Sequence, residues 1–150
     1  MTEPFALHSR LAADTIALGQ WPLCRLLLMK DARFPWLILV PAKPDLREIH
    51  DLSLQERAVL IEEVARASTG MQQAFKADKM NVAALGNQVP QLHVHVIARF
   101  AGDAAWPNPV WESTVPKLPQ GLDEKGFPTG RVRDFYHALL PLAEGSGDNR

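Results

Sequence analysis

Thiol chemistry is nearly absent from this 150-residue chain, whose single cysteine, Cys24, lies in an apolar run. One cysteine can form neither an internal disulfide nor a cysteine-based zinc cage, so Cys24 reads as a small buried apolar side chain. Charge of one sign is missing as well. The formal net charge is -1, which removes a nucleic-acid coat or an anionic membrane as the main partner. Any anionic substrate must then be held by a local site. The apolar runs Leu26–Met29 and Trp36–Pro41 are far too short to cross a bilayer. No basic segment followed by a long apolar stretch opens the chain, so no signal peptide is expected and the location expected is the cytoplasm. With 47% hydrophobic and 22% charged residues, the composition is that of a globular protein with a real core.

Against those absences, the hydrophobic pattern is informative. Leu7–Ala13 suggests a short helix, and Thr15–Trp21 leads through Gly19 and Pro22 into the apolar run Leu23–Lys30. That run and Trp36-Leu-Ile-Leu-Val-Pro41 have strand length and predict a hairpin turning at Asp31–Pro35. Ser53-Leu-Gln-Glu56 matches a capping box, which predicts a helix start. Leu60, Val64, Met71 and Phe75 then recur on one helical face, with Glu62, Glu63 and Arg66 expected off it. Gly70 within this helix costs about 1 kcal/mol relative to Ala and hints at close packing. Met80–Leu85 and Leu92–Phe100 predict two more strands, joined by Gly86-Asn-Gln-Val-Pro90. Beyond Phe100 come Pro107, Pro109, Pro116, Pro119 and Pro128, an irregular stretch of a length usually tied to function or to a partner. A last helix is expected from about Arg131 to Leu142, with Val132, Phe135 and Leu139 on one face. Residues 145–150 should fray. The whole, 1–150, reads as one domain: a core of about residues 7–106, the proline-rich extension and last helix over 107–144, and the tail.

Chemistry concentrates in Gln91-Leu-His-Val-His-Val-Ile97. Strand alternation would put Gln91, His93 and His95 on one side and Leu92, Val94 and Val96 on the other, with successive polar side chains about 6.5–7 Å apart. Neutral imidazole is a good nucleophile toward phosphorus, and a second imidazole can bind phosphate oxygens or assist the leaving group. His-x-His on one strand face is also a metal-ligand spacing. A third ligand would have to come from Glu48, His50, His8 or His137, whose spacing forms no recognisable motif. His8, His50 and His137 otherwise read as surface or capping residues, and Trp106 and Trp111 as core anchors or ligand contacts.

Gln91-x-His93-x-His95-Val96-Ile97 resembles the histidine-triad superfamily, whose signature is His-x-His-x-His followed by two apolar residues. The resemblance extends over about Leu23 to Trp106. It includes the strand end Val40-Pro41-Ala-Lys43, the helix start Asp51-Leu-Ser-Leu and the Gly86–Pro90 connector, in the family's order. It implies an α+β fold: an antiparallel sheet of about five strands with the Ser53 helix packed across it. It also implies a symmetric homodimer. The middle histidine of the family attacks the α-phosphorus of a nucleotide conjugate and forms a covalent nucleotidyl-histidine that water hydrolyses. Carried over, His93 is the nucleophile, His95 the third triad member, and Gln91 stands at the first position. An amide there can hydrogen-bond but cannot titrate. Asn87 and Gln88, just before the triad, and Arg99 after it become candidates for phosphate binding. Asp31 in the hairpin turn is a candidate for the ribose. Trp106-Pro107 resembles a Trp-Pro in the C-terminal tail of some members, where the tail shapes the site. The implied substrate is a dinucleoside polyphosphate or nucleoside phosphoramidate, with no cofactor or metal. The alternatives are a nucleotide-binding protein with little turnover and a metal-dependent enzyme using His93 and His95.

Overall fold

A computed structural model describes residues 4–117 and 137–138 of the chain. A short helix α1 (Ser9–Asp14) precedes strands β1 (Thr15–Gln20), β2 (Cys24–Met29) and β3 (Trp36–Pro41). Helix α2 (Leu54–Phe75), β4 (Lys79–Ala83) and β5 (Val94–Arg99) follow, and a 3-10 turn spans Val110–Glu112. The strands form one five-stranded sheet in the order β1-β2-β3-β5-β4. Every neighbouring pair is antiparallel, so the fold is the expected α+β arrangement. Among the described residues, no helix is long and apolar enough to cross a membrane.

The sheet separates two apolar clusters because side chains along a strand alternate faces. Leu26 and Leu28 of β2, Leu37 and Leu39 of β3, and Val94 and Val96 of β5 face α2, where Leu60, Val64, Ala67 and Met71 cover them. Leu27, Trp36, Ile38, Val40 and Ile97 point to the opposite face and meet Leu11 of α1 and Val110 of the C-terminal segment. Among the described residues no long helix covers that second face, and the room left there holds the candidate site.

Helix α2 begins as expected. Ser53 accepts a hydrogen bond from the Glu56 N–H, and the Glu56 carboxylate accepts one from the Ser53 N–H. Together they satisfy two otherwise orphaned donors of the first turn. Glu63, however, belongs to the buried face of α2. Its carboxylate accepts hydrogen bonds from the backbone N–H of Leu23 at 2.9 Å and of Cys24 at 2.8 Å. Helical periodicity alone placed it outside because a charge is costly to bury unless specific donors await it. The donors come from a chain segment 39 and 40 residues away. Burial, the neighbouring Glu63 charge and its hydrogen bond push the Cys24 thiol far above its ordinary range, so Cys24 acts as an unreactive core side chain.

One strand was not expected, and β4 and β5 have boundaries that differ from expectation. Thr15–Gln20 forms an edge strand whose pairing with β2 shifts register between Ala17 and Gly19, an irregularity that blurs its two-residue period. β4 ends at Ala83, leaving Leu85 exposed in the connector. β5 starts at Val94, so Gln91 and His93 precede the regular strand. His137 and Ala138 are helical. The rest of the last expected helix and the tail lie outside the described residues.

Candidate functional site

A cavity of about 660 Å³ opens on the sheet face away from α2, within the range of small-molecule sites. Its floor is Trp36 and Ile38 of β3 together with His93 and His95. Arg10, Leu11 and Asp14 of α1 form one wall, and Leu85–Val89 another. Asp31 and Arg33 of the β2–β3 turn and the segment Val110–Lys117 close the remainder. Gly86 takes a positive φ of 75°, a left-handed conformation that favours glycine and turns the chain toward Asn87 and Gln88.

His93 and His95 are both buried, with ring centroids 5.0 Å apart. Their partners force different tautomers. His93 Nδ1 lies 2.6 Å from the carbonyl oxygen of Gln91. A carbonyl only accepts, so Nδ1 carries the proton and Nε2 of the neutral ring keeps its lone pair. The Trp36 Nε1–H donates to His95 Nδ1 at 3.0 Å. An indole N–H only donates, so His95 Nδ1 is unprotonated and the proton sits on Nε2. The pair thus combines a nucleophilic nitrogen with a neutral N–H donor. Burial, and then the charge of His93, lower the His95 pKa to about 4. At neutral pH His95 donates a hydrogen bond but carries no spare proton.

The candidates from the sequence separate into two groups. His93, His95, Asn87, Gln88 and Asp31 all line the cavity. Asp31 is held by Arg33, whose Nη2 and Nε lie 2.7 and 3.0 Å from its carboxylate oxygens, and Arg33 Nη1 also donates to the Val115 carbonyl. Arg99, Trp106 and the Gln91 side chain are placed elsewhere. Arg99 is buried beyond the cavity; it donates through Nε and Nη2 to Asp103, through Nη1 to Asn81 Oδ1 and through Nη2 to the Asn108 carbonyl. It stands four residues past His95 on the same sheet face, with Ile97 between them, and each of its guanidinium nitrogens donates away from the imidazoles. Trp106 lies over the Arg99 guanidinium at 5.7 Å. Gln91 turns its carboxamide toward the N-terminal segment, donating to the Ala6 carbonyl and accepting from the His8 N–H, each at 2.9 Å.

Arg10 and Arg33 are among the cavity residues that the sequence reading passed over, whereas Trp111, read there as a core anchor or a ligand contact, lines the cavity. Trp111 lies edge-on to His95 at 5.0 Å and to Trp36 at 5.8 Å, and it remains partly exposed. Its segment has no periodicity that would announce a direction. Arg33 had a usable signal, a cation two residues from the candidate acid in the same turn. Among the described residues, no group of three or more His, Cys, Asp or Glu side chains is arranged to hold a metal ion. Two imidazoles alone fall short of the usual donor set for zinc.

Comparison with known proteins agrees with this construction. The HIT domain family matches residues 10–102. A histidine triad protein from Bradyrhizobium japonicum is 46% identical, with a TM-score of 0.84, over 94% of this chain and 99% of that one. One from Marinobacter aquaeolei is 46% identical, with a TM-score of 0.85, over 97% and 100%. A hypothetical histidine triad nucleotide-binding protein from Sulfolobus tokodaii, 18% identical with a TM-score of 0.55 over 88% of this chain and 83% of that one, shares the fold. No curated protein matches. The chain belongs to the HIT domain family of histidine triad proteins.

Proposed function

We propose that this protein hydrolyses or transfers nucleotides by forming a covalent nucleotidyl-histidine on His93. HIT proteins are generally nucleotide-binding hydrolases or transferases, and the observation that carries the reading here is the opposed tautomers of His93 and His95. In the first step His93 Nε2 attacks the α-phosphorus and a P–N bond forms. The bond from phosphorus to the leaving oxygen or nitrogen breaks, and the leaving group keeps the electron pair. The neutral Nε2–H of His95 hydrogen-bonds the oxygen on which charge accumulates. Because His95 is uncharged at neutral pH, the leaving group takes its proton from water. Water, or an acceptor alcohol or amine, then attacks phosphorus and gives up its proton to solvent, while the P–N bond breaks, its electron pair returns to Nε2 and His93 is restored.

The cavity suits a nucleotide conjugate of the dinucleoside polyphosphate or nucleoside phosphoramidate type. Asn87 and Gln88 offer amides to phosphate oxygens and Trp111 an aromatic wall for a base, and the Asp31–Arg33 pair that lines the cavity is the candidate for the ribose. Gln91 takes the first triad position through its backbone carbonyl, which fixes the His93 ring. Assembly as a homodimer is supported by the edge position of β4, where Val82 is exposed, and by Leu54, Val59 and Ile61 exposed along α2.

The test is a turnover screen over diadenosine polyphosphates, adenosine 5′-phosphoramidate and nucleotide sugars, with a chelator present throughout. Turnover of one class that survives chelation supports the reading. Tight binding without turnover would make the protein a nucleotide-binding module, and loss on chelation with recovery on zinc or manganese would favour the metal-dependent alternative.

A further inference from the structure

We infer that Gln91 is a positioning residue that clips the N-terminal segment onto the cavity, so that its side chain sets substrate affinity while its backbone serves the chemistry. The inference rests on the nucleotide reading above. The two ends of the carboxamide make two different bonds, Nε2–H to the Ala6 carbonyl and Oε1 from the His8 N–H. A donor and an acceptor presented side by side imitate an extended backbone and tie a peptide segment at two points. His8 is also the N-cap of α1, its Nδ1 accepting from the Arg10 N–H at 3.0 Å. The bonds therefore form one chain, from the strand that bears the imidazoles, through Gln91 and His8, to the helix that carries Arg10, Leu11 and Asp14 into the cavity wall.

That helix has only six residues, too few to be stable in isolation. What holds it is Leu11 in the second apolar cluster, the Thr15 hydroxyl bonded to the Leu11 carbonyl at 2.6 Å, and the clip. The strap before it is pinned further by Phe5, whose ring lies under the Arg25 guanidinium at 4.9 Å. The carbonyl that orients His93 belongs to the Gln91 backbone and is present whatever side chain stands there. A histidine at this position would offer one donor and one acceptor on opposite sides of a ring, which cannot span the Ala6 and His8 bonds together.

The experiment compares wild type with Gln91→Ala, Gln91→Glu and Arg10→Ala on adenosine 5′-phosphoramidate, with hydrogen exchange read over residues 4–14. Gln91→Ala should raise KM about tenfold and change kcat by less than about threefold, because it removes ground-state wall contacts and leaves the nucleophile oriented. Exchange over residues 4–14 should speed up while the strands stay protected. Arg10→Ala should raise KM similarly, and the double variant should be no worse than about the poorer single one, since both act through α1. Gln91→Glu supplies a reading that a merely structural role would not move. Ionised, it accepts from His8 but repels the Ala6 carbonyl; protonated, it restores both bonds. The ratio of its KM to that of wild type should therefore fall toward one as pH drops from about 6 to about 3.5, through the ordinary carboxyl range. A fall in kcat with KM unchanged, or unaltered exchange over residues 4–14 in Gln91→Ala, would overturn the inference. If wild type turns over none of the probes, the nucleotide reading fails by itself, and the exchange data still decide whether the clip exists.

Discussion

On the face of the sheet covered by α2, leucine and valine meet helix side chains in a layer that is apolar but for the Glu63 carboxylate. On the opposite face the same strands bury His93, His95 and Arg99, with Asp31 at the turn beside them, under a short helix and an irregular segment. β5 serves both faces at once: Val94, Val96 and Ala98 to one side, His95, Ile97 and Arg99 to the other. The α2 face derives its stability from transfer of apolar surface out of water. On the second face every buried charge or imidazole needs a named partner, because an unpaired one costs several kcal/mol. A one-residue slip of β5 would exchange the two sets. Its register is fixed on both sides, by β3 through Ile38 opposite His95 and by β4 through Ala83 opposite His95.

The largest expected effect breaks chemistry without touching stability. His93→Ala should lower turnover at least about a thousandfold while nucleotide binding stays within about tenfold and the melting temperature holds, since the lost group acts in the transition state. Next, Arg99→Met should destabilise the fold by about 3 kcal/mol, read in urea unfolding, by leaving the Asp103 carboxylate buried without its bidentate partner. Activity per folded molecule should be unchanged, which distinguishes a structural arginine from a phosphate ligand.

The third expected effect is in pH. Burial and then His93 hold the folded pKa of His95 at about 4, against an ordinary value of 6.5. Between those values the unfolded chain binds more protons than the folded one, so stability rises with pH across the window and is lost as pH falls through it. The loss on acidification amounts to about 3 kcal/mol relative to neutral pH, and His95→Phe should flatten urea-unfolding stability between pH 6.5 and 4. Smallest, and on the other face, Glu63→Gln should cost about 1–2 kcal/mol by turning an amide donor toward the Leu23 or Cys24 N–H. Its kcat/KM should be unchanged, because Glu63 lies across the sheet from the cavity.

The sequence disclosed whatever depends on local pattern. β3 runs over the expected Trp36–Pro41, α2 starts at its capping box, and the alternation His93, Val94, His95 divides the faces as read. Long-range polar partners were hidden. Nothing near Gln91 indicates that its carboxamide bonds Ala6 and His8, 85 and 83 residues away. Nothing near Glu63 indicates donors at Leu23 and Cys24. Arg99 carried the right charge at a short spacing from the imidazoles, yet Asp103, Asn81 and the Asn108 carbonyl take up its donors. Trp111 enters the cavity through the path of an irregular chain. Periodicity reports which face a residue is on; it is silent about which polar atom waits there.

The account turns on His93 Nε2 as the nucleophile, and intact-mass analysis of the protein quenched during turnover of adenosine 5′-phosphoramidate tests this most directly. The account predicts a transient gain of one adenylyl group, labile in acid as a P–N bond is, located on a peptide containing His93 and missing from His93→Ala. Sustained turnover with no adduct at any quench time, or an adduct that persists in His93→Ala, would contradict it.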